Sequence, residues 1–226
     1  MNDLYATKPE SYFSGTRRHL IDLMPSGPNK VLELGCARGN TLLVAKETGK
    51  AAEIVGIDIM QPEPSHGLLD CYIQNNSDEI VIDFPSGYFD IIICADVLEH
   101  FVNPWRALQQ LQNYLKPGGL VIASLPNIRF YKTVLGILLG GDFRYADDGG
   151  ILDKTHLRFF CKRNMRDLFR EAGLQVMGFR YKMAFLYRIF TILSFGLTEG
   201  LWVKQYTIVS RKPANGQDSK RNNTLQ

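Results

Sequence analysis

The sequence predicts an α/β fold in which helices cover both faces of a mostly parallel sheet. Along most of the 226 residues, short apolar runs that resemble strands alternate with stretches of helical periodicity. The run Ile91-Ile92-Ile93 is apolar at three successive positions, which is typical of a strand buried on both faces of a parallel sheet. We therefore expect one doubly wound α/β domain.

Composition and charge fit a single globular domain. Apolar residues make up 45% of the chain and charged residues 22%, and the net charge is only +3. Because no long stripe of Lys and Arg is visible, we expect no nucleic acid as a partner. The four cysteines form no C-x-x-C pair and the first residues lack an apolar signal segment, so we expect a cytoplasmic protein with reduced thiols.

The first element predicted is a helix over Pro9 to Met24, which ends at a Pro-Ser-Gly-Pro turn. We assign residues 1–30 to this helix, which either packs against the domain or closes over a ligand as a lid. Tyr12, Phe13 and Arg17 are the side chains that would close such a lid.

A glycine-containing turn follows the first strand, in the run VLELGCARGN from Val31 to Asn40. Gly35 and Gly39 bracket the turn, and a helix follows, so backbone N–H groups and the positive helix end meet at one place. The spacing fits neither G-x-G-x-x-G nor the P-loop pattern. Glu33 would repel a phosphate at this turn and suits a ligand that carries an ammonium or sulfonium charge.

The second strand, Glu53 to Ile59, ends on an acid 19 residues after Gly39. Asp58 is placed to accept hydrogen bonds from both hydroxyls of a ribose, a role that carboxylates perform well. A short turn broken by two prolines leads to a third strand, Cys71 to Gln74.

The fourth strand contains the isoleucine run, and Cys94, Ala95 and Asp96 fall at its carboxyl end. In open parallel sheets, ligands bind beyond the carboxyl ends of the strands, so we expect this end to face a ligand. Asn103 and Pro104 then begin a helix, which a Lys-Pro-Gly-Gly turn stops before a fifth strand over Leu120 to Asn127.

The remainder departs from simple alternation. We predict an insertion at 128–160 with an apolar helix and a Gly/Asp-rich loop. Residues 161–211 should return to the domain as a helix, a strand over Leu174 to Tyr181, an aromatic-rich cover and a last strand over Trp202 to Arg211. Residues 212–226, almost without apolar side chains, are predicted to be a disordered tail.

Three motifs together resemble those of class I S-adenosylmethionine-dependent methyltransferases. They are E-x-G-x-x-x-G from Glu33 to Gly39, the Phe89-Asp90 pair that leads into Leu98-Glu99-His100, and the turn L-K-P-G-G before the fifth strand. The family usually has a third glycine where Ala37 stands. The resemblance implies a Rossmann-like, mostly parallel seven-stranded sheet whose last strand is antiparallel, with a cofactor-binding core at 31–127.

The resemblance also implies S-adenosylmethionine as the cofactor and a set of residues that would bind it. Related enzymes commonly carry an acid that binds the adenine amino group near Asn76, whose amide oxygen could accept that bond; a plain turn is the alternative. The predicted cofactor-binding residues are Glu33, Gly35, Cys36, Gly39, Asp58, Ile59, Asn76, Cys94 and Ala95.

The run GILDKTHLRFF at 150–160 is similar to methyltransferases of bacterial surface polysaccharide and glycosyltransfer pathways, which resemble ubiquinone-type and MetW-type members. This resemblance places the acceptor pocket in the insertion. His156 is predicted as a general base that Asp153 orients, although His156 could instead only pin its loop. No cluster with metal-ligand spacing is visible along the sequence, so we predict no catalytic metal.

The predicted function is methylation of a sugar or another small-molecule hydroxyl by in-line methyl transfer. One alternative is a lipid-linked or quinone-like acceptor, which the apolar segment between Phe185 and Leu197 would favour. That segment could lie on a membrane surface or simply cover the domain. A second alternative is a scaffold that binds S-adenosylmethionine without turnover.

Overall fold

The computed structural model describes Lys8, Phe13 and residues 15–75, 77–147 and 149–214. Its centre is one seven-stranded sheet in the order β3-β2-β1-β4-β5-β7-β6. The strands are β1 (Asn29–Leu34), β2 (Ala51–Asp58), β3 (Cys71–Gln74), β4 (Phe89–Ala95), β5 (Leu115–Pro126), β6 (Gln175–Arg180) and β7 (Gln205–Arg211). The first five strands pair in parallel, and β7 pairs antiparallel with both β5 and β6. The predicted fold class is confirmed.

Helices lie on both faces of the sheet. The helices in the described residues are α1 (Arg18–Ile21), α2 (Asn40–Glu47), α3 (Pro104–Tyr114), α4 (Tyr131–Gly140), α5 (Lys162–Glu171), α6 (Phe185–Leu193) and α7 (Glu199–Trp202). Buried side chains of α1 and α2 pack in one apolar cluster, and those of α3 and α5 pack in a second. Alternate residues of β4 join the two clusters: Ile91 and Ile93 join the first, and Ile92 and Cys94 join the second.

Strand order determines where a ligand can bind. From β1 the chain moves outward to β2 and β3, and then returns to the other side of β1 for β4 and β5. The crevice above the carboxyl ends of β1 and β4 is therefore the topological switch point of the sheet, where open α/β folds bind ligands.

Several boundaries differ from the sequence-based prediction. α1 covers only Arg18–Ile21, although Phe13 is also helical. β5 begins at Leu115 and not at Leu120, because Leu115 already pairs with Phe89 of β4 before the Lys-Pro-Gly-Gly turn. Trp202 closes α7 instead of opening the last strand, which starts at Gln205. The described residues contain no helix long and apolar enough to cross a membrane. Most of the predicted tail lies outside the described residues.

Candidate functional site

A cavity of about 930 Å³ opens above the carboxyl ends of β1, β2 and β4. Its wall combines the turn after β1, the end of β2, the residues after β4 and part of the 128–160 insertion. Of the residues predicted to bind a cofactor or to act in catalysis, the wall contains Glu33, Gly35, Cys36, Asp58, Ile59, Ala95 and His156. Phe13 and Arg17, the described members of the predicted lid, also line the cavity.

The turn after β1 depends on two glycines in left-handed conformations. Gly35 has φ +71°, and a Cβ there would lie 2.6 Å from Cγ2 of Val97. Gly39 has φ +77°, and a Cβ there would lie 2.9 Å from a methyl carbon of Leu69. Ala37, where the family usually has glycine, adopts φ +46°. The turn therefore holds a small side chain in a left-handed conformation at this position.

Asp58 fastens this turn to the end of β2. The backbone N–H of Ala37 donates to Oδ2 of Asp58 at 2.7 Å, and the N–H of Met60 donates to Oδ1 at 3.0 Å. Each carboxylate oxygen has a further lone pair, so Asp58 can accept two hydroxyl donors from a ligand in the cavity. Burial raises the pKa of Asp58, and the backbone N–H groups partly oppose this shift.

His66 supports the turn from outside, and sequence reasoning missed it. Its Nδ1 accepts the N–H of Glu63 at 3.1 Å, so the ring proton lies on Nε2, which donates to the Ala37 carbonyl at 2.7 Å. The ring stacks on Tyr72 with 3.6 Å between centroids. No pattern in the sequence indicates this role, because it depends on the fold bringing the 3₁₀ turn Pro64–Leu68 beside the glycine turn.

Glu33 places an acid at the closed end of the cavity. The side chain is buried, and its Oε2 has no hydrogen-bond partner among the described residues. Burial raises the pKa of Glu33 to about 8, with Arg17 and the Thr41 hydroxyl opposing the shift. A cation bound beside Glu33 would stabilise its carboxylate form, so Glu33 suits a positively charged ligand group.

Asp96 is a second wall residue, which the sequence placed at the end of the fourth strand without a specific role. It follows β4 with φ +53° and forms an ion pair with Arg17 at 3.0 Å. The Ser124 hydroxyl donates to its Oδ1 at 2.8 Å, and the amide of Gln205 contacts the same oxygen. Arg17, β4, β5 and β7 are thus joined at the edge of the cavity.

Glu99, His100 and His156 form a buried group in the cavity wall. Potential ligand atoms of Glu99, His100 and His156 all lie within 4.8 Å of one another. Oε1 of Glu99 lies 3.9 Å from Nε2 of His156, and neither Glu99 oxygen has a hydrogen-bond partner among the described residues. Nδ1 of His156 donates to the Ile151 carbonyl at 2.9 Å, so its Nε2 carries the lone pair.

Burial disfavours the charged form of every member of this group. It raises the pKa of Glu99 well above the ordinary value and lowers the pKa of His156. Burial, with His156 close by, also lowers the pKa of His100 to about 4. The free site therefore favours a protonated acid beside neutral imidazoles.

The prediction that Asp153 orients His156 is wrong. Oδ2 of Asp153 accepts Nζ of Lys8 at 2.6 Å, and its Oδ1 accepts both the backbone N–H and the hydroxyl of Thr155. Both carboxylate oxygens are thus used to hold the loop. The Ile151 carbonyl orients the His156 ring instead, and Oε1 of Glu99 lies 3.9 Å from its Nε2 without a hydrogen bond.

Two predicted cofactor contacts are also not in the wall. Cys94 is fully buried in the cluster beneath α3 and α5, because alternation along β4 turns its side chain away from Ala95. Gly39 shapes the turn from behind, where its N–H donates to the Cys36 carbonyl at 2.8 Å. Asn76 lies outside the described residues, so its role stays a prediction.

Comparisons with known proteins match this geometry. A family model described as a methyltransferase domain matches residues 11–177. The chain belongs to this methyltransferase family. A demethylmenaquinone methyltransferase of Thermus thermophilus is 31% identical over 56% of this chain and 67% of its own length. A ubiquinone biosynthesis O-methyltransferase of Marinobacter nauticus is 31% identical over 75% of this chain and 74% of its own.

Solved structures show the same fold. A crystal structure of an S-adenosylmethionine-dependent methyltransferase from Archaeoglobus fulgidus has a TM-score of 0.65 and 18% identity, and covers 90% of this chain and 97% of that one. The chain spans between about half and two thirds of the length of several of its curated relatives.

The cofactor of this methyltransferase family is S-adenosylmethionine, and the residues present fit it. Glu33 offers a buried carboxylate oxygen, Oε2, that has no hydrogen-bond partner among the described residues, and Gly35 lies in the wall where Val97 leaves no room for a Cβ. Asp58 offers paired acceptors at the end of β2. Glu33 would therefore lie beside the positively charged part of S-adenosylmethionine. The main chain at Gly35 would contact the cofactor directly, and Asp58 would bind its ribose.

Proposed function

We propose that the chain is an S-adenosylmethionine-dependent O-methyltransferase whose general base is His156, supported by Glu99. One observation carries this proposal: a single cavity contains both the cofactor-binding residues around Gly35 and the buried Glu99–His156 pair. Bound beside Glu33, S-adenosylmethionine supplies an activated methyl group.

The residues on the acceptor side would each have a distinct task. His156 presents the Nε2 lone pair to the cavity because its Nδ1–H donates to the Ile151 carbonyl. It would take the proton from an acceptor hydroxyl as the oxygen is methylated. Glu99, 3.9 Å away, would stabilise the resulting imidazolium. Burial of both groups keeps water from competing with the acceptor.

A lipid-linked or quinone-like acceptor has more support than a sugar. The relatives from Thermus thermophilus and Marinobacter nauticus carry names from menaquinone and ubiquinone biosynthesis. The wall of the cavity also contains Phe13, Phe101 and Ile151, which would pack against an apolar ring. A sugar hydroxyl remains the prediction made from the 150–160 motif alone, and the comparisons do not support it.

The test is a screen of hydroxylated quinone precursors and sugars with isotope-labelled S-adenosylmethionine. We expect methyl incorporation into a phenolic or quinol oxygen. His156→Ala should lower turnover by about a hundredfold and change cofactor affinity little, because the base acts only in chemistry. His19→Ala is the matched control. Cofactor binding without turnover on either class of acceptor would favour the scaffold alternative.

A second chemistry is favoured by one observation, the approach of Glu99, His100 and His156 to within 4.8 Å. A carboxylate and two imidazoles are ligands that divalent transition metals accept. The prediction of no metal considered spacing along the sequence, whereas the fold brings His156 beside Glu99 and His100, which lie more than 50 residues earlier. Calorimetric titration of the chelator-treated chain with Zn²⁺ or Mn²⁺ tests this, with Glu99→Gln as the variant that should abolish binding.

A further inference from the structure

Two stretches of the chain carry most of its exposed apolar side chains. Of the 21 large apolar side chains exposed in the described residues, 14 lie at 131–145 and 185–197, six in the first stretch and eight in the second. We call these two stretches the apolar surface. Neither α4 nor α6 contains a buried residue, and Phe195 is 96% exposed at the bend after α6. A concentration of this size on one region marks an interaction site.

The two stretches form neighbouring parts of one surface. Tyr131 at the start of α4 lies 6.0 Å from Tyr187 of α6 between ring centroids, and Tyr187 stacks on Trp202 at 4.7 Å. Below these rings, the amide of buried Asn127 donates to the carbonyls of Gly200 and Val203, both at 2.7 Å. The aromatic contacts hold the helices together while their aliphatic side chains point outward.

Charge identifies the partner that this surface fits. Residues 129–145 and 180–204 contain seven basic and two acidic side chains, a net charge of +5, against +3 for the whole chain. All seven basic residues are exposed: Arg129, Lys132, Arg144, Arg180, Lys182, Arg188 and Lys204. Exposed Leu, Ile and Phe side chains flanked by Lys and Arg are typical of segments that lie in the interface of an anionic bilayer.

The apolar surface also adjoins the cavity. Pro126 and Lys204 both line the cavity wall, and the chain leaves the sheet toward α4 after the first and returns from α7 just before the second. From these observations we propose that the apolar surface docks the protein on an anionic lipid bilayer, with the cavity beside the lipid. An acceptor with an apolar tail would then reach the cavity from the bilayer.

Co-sedimentation of the full chain with vesicles tests docking without any methyl transfer, so it can fail independently of the proposed function. We expect binding to vesicles of phosphatidylcholine with phosphatidylglycerol, and weaker binding to phosphatidylcholine alone. The double variant Leu139→Glu/Phe195→Glu should bind about tenfold more weakly, because it places charges in the interface. Lys132→Glu/Arg188→Glu should lose the preference for the anionic lipid.

Matched controls change equally exposed residues elsewhere. Leu68→Glu/Val81→Glu alters two apolar side chains that are 64% and 73% exposed, and Arg18→Glu/Arg170→Glu reverses two exposed charges outside the apolar surface. Both should bind like the unaltered chain. The proposal is overturned if no vesicle is bound, if the controls lose binding equally, or if Leu139→Glu/Phe195→Glu only breaks a dimer of the chain.

Discussion

At the scale of single residues, the buried carboxyl group of Glu33 should make the binding of a cationic ligand depend on pH. Burial raises its pKa to about 8, so near neutral pH the free chain holds this carboxyl mostly protonated. Binding of a cation favours the carboxylate, and the proton must leave. Cofactor affinity should therefore increase with pH up to about 8 and not decrease, which is the sign expected for an acid of raised pKa.

We expect the affinity for S-adenosylmethionine, measured by calorimetry, to increase by up to about tenfold per pH unit between pH 6 and 7.5. Glu33→Gln should remove this dependence and weaken binding at the higher pH. Glu63→Gln changes another wall acid, which pairs with Arg38, and should keep the slope. An unchanged slope in Glu33→Gln would contradict the assignment.

His156 gives a second pH-dependent prediction. Burial lowers its pKa below the ordinary 6.5, and the Ile151 carbonyl opposes part of this shift. A general base must be neutral, so kcat/KM should stay level as the pH falls to 6.5 and decline only at more acidic values. The measurement is a pH profile of kcat/KM for the acceptor with S-adenosylmethionine at saturation, so that the pH dependence expected from Glu33 does not enter. A decline that begins above pH 7 would mean that another group is the base.

At the scale of elements, the glycine turn offers a matched pair. Gly35 and Gly49 have nearly equal φ angles of +71° and +70°, but only a Cβ at Gly35 would meet another side chain, Val97 at 2.6 Å. Gly49→Ala should cost about 1 kcal/mol of unfolding free energy and leave cofactor affinity unchanged.

Gly35→Ala should cost about 1–3 kcal/mol more, because Val97 or the turn must move. It should also weaken S-adenosylmethionine binding, since the displaced backbone lies in the cavity wall. Denaturant unfolding measures the stability of both variants, and calorimetry measures their cofactor affinity. The difference between the variants separates the strain of a positive φ from the overlap with Val97. Equal effects of the two substitutions would show that the close approach is unimportant.

Lys8 and the 147–155 loop are joined by a buried ion pair. Nζ of Lys8 lies 2.6 Å from Oδ2 of Asp153 and also donates to the Asp147 carbonyl, and both ion-pair side chains are buried. Burial alone would raise the pKa of Asp153, but Lys8 and Thr155 lower it below the ordinary value. Stability from this group is therefore present above the ordinary pKa and lost as the pH falls through the lowered one.

Lys8→Met should destabilise the 147–155 loop by about 3 kcal/mol, because it leaves a buried carboxylate without its cation. Hydrogen exchange of the amides in this loop measures the effect. Lys154→Met is the control, since Lys154 and Asp147 form an exposed pair at 2.6 Å that should contribute little. Equal exchange in the two variants would contradict a structural role for Lys8.

At the scale of the whole molecule, the sequence predicted the fold and selected several residues that line the cavity around the glycine turn, because both depend on local patterns. The glycine turn, the acid at the end of β2 and the strand-helix alternation are readable within short windows. The acceptor half depends on long-range contacts: Lys8 is 145 residues from Asp153, and Gln205 is 109 residues from Asp96. Cys94 was misplaced because the exact end of β4 decides which alternate residue faces the cavity.

The cavity wall includes residues from near the start of the described chain to Gln205 in β7, so cofactor binding should stabilise the domain as one unit. At a hundredfold excess over Kd, binding adds about 2.7 kcal/mol to the unfolding free energy. For a chain of this size, the thermal midpoint should rise by about 5–10 °C. NAD shares the adenosine but brings phosphates toward Glu33, so it should shift the midpoint far less. Differential scanning calorimetry with each ligand measures this, and an equal shift by NAD would contradict the cationic-ligand assignment of Glu33.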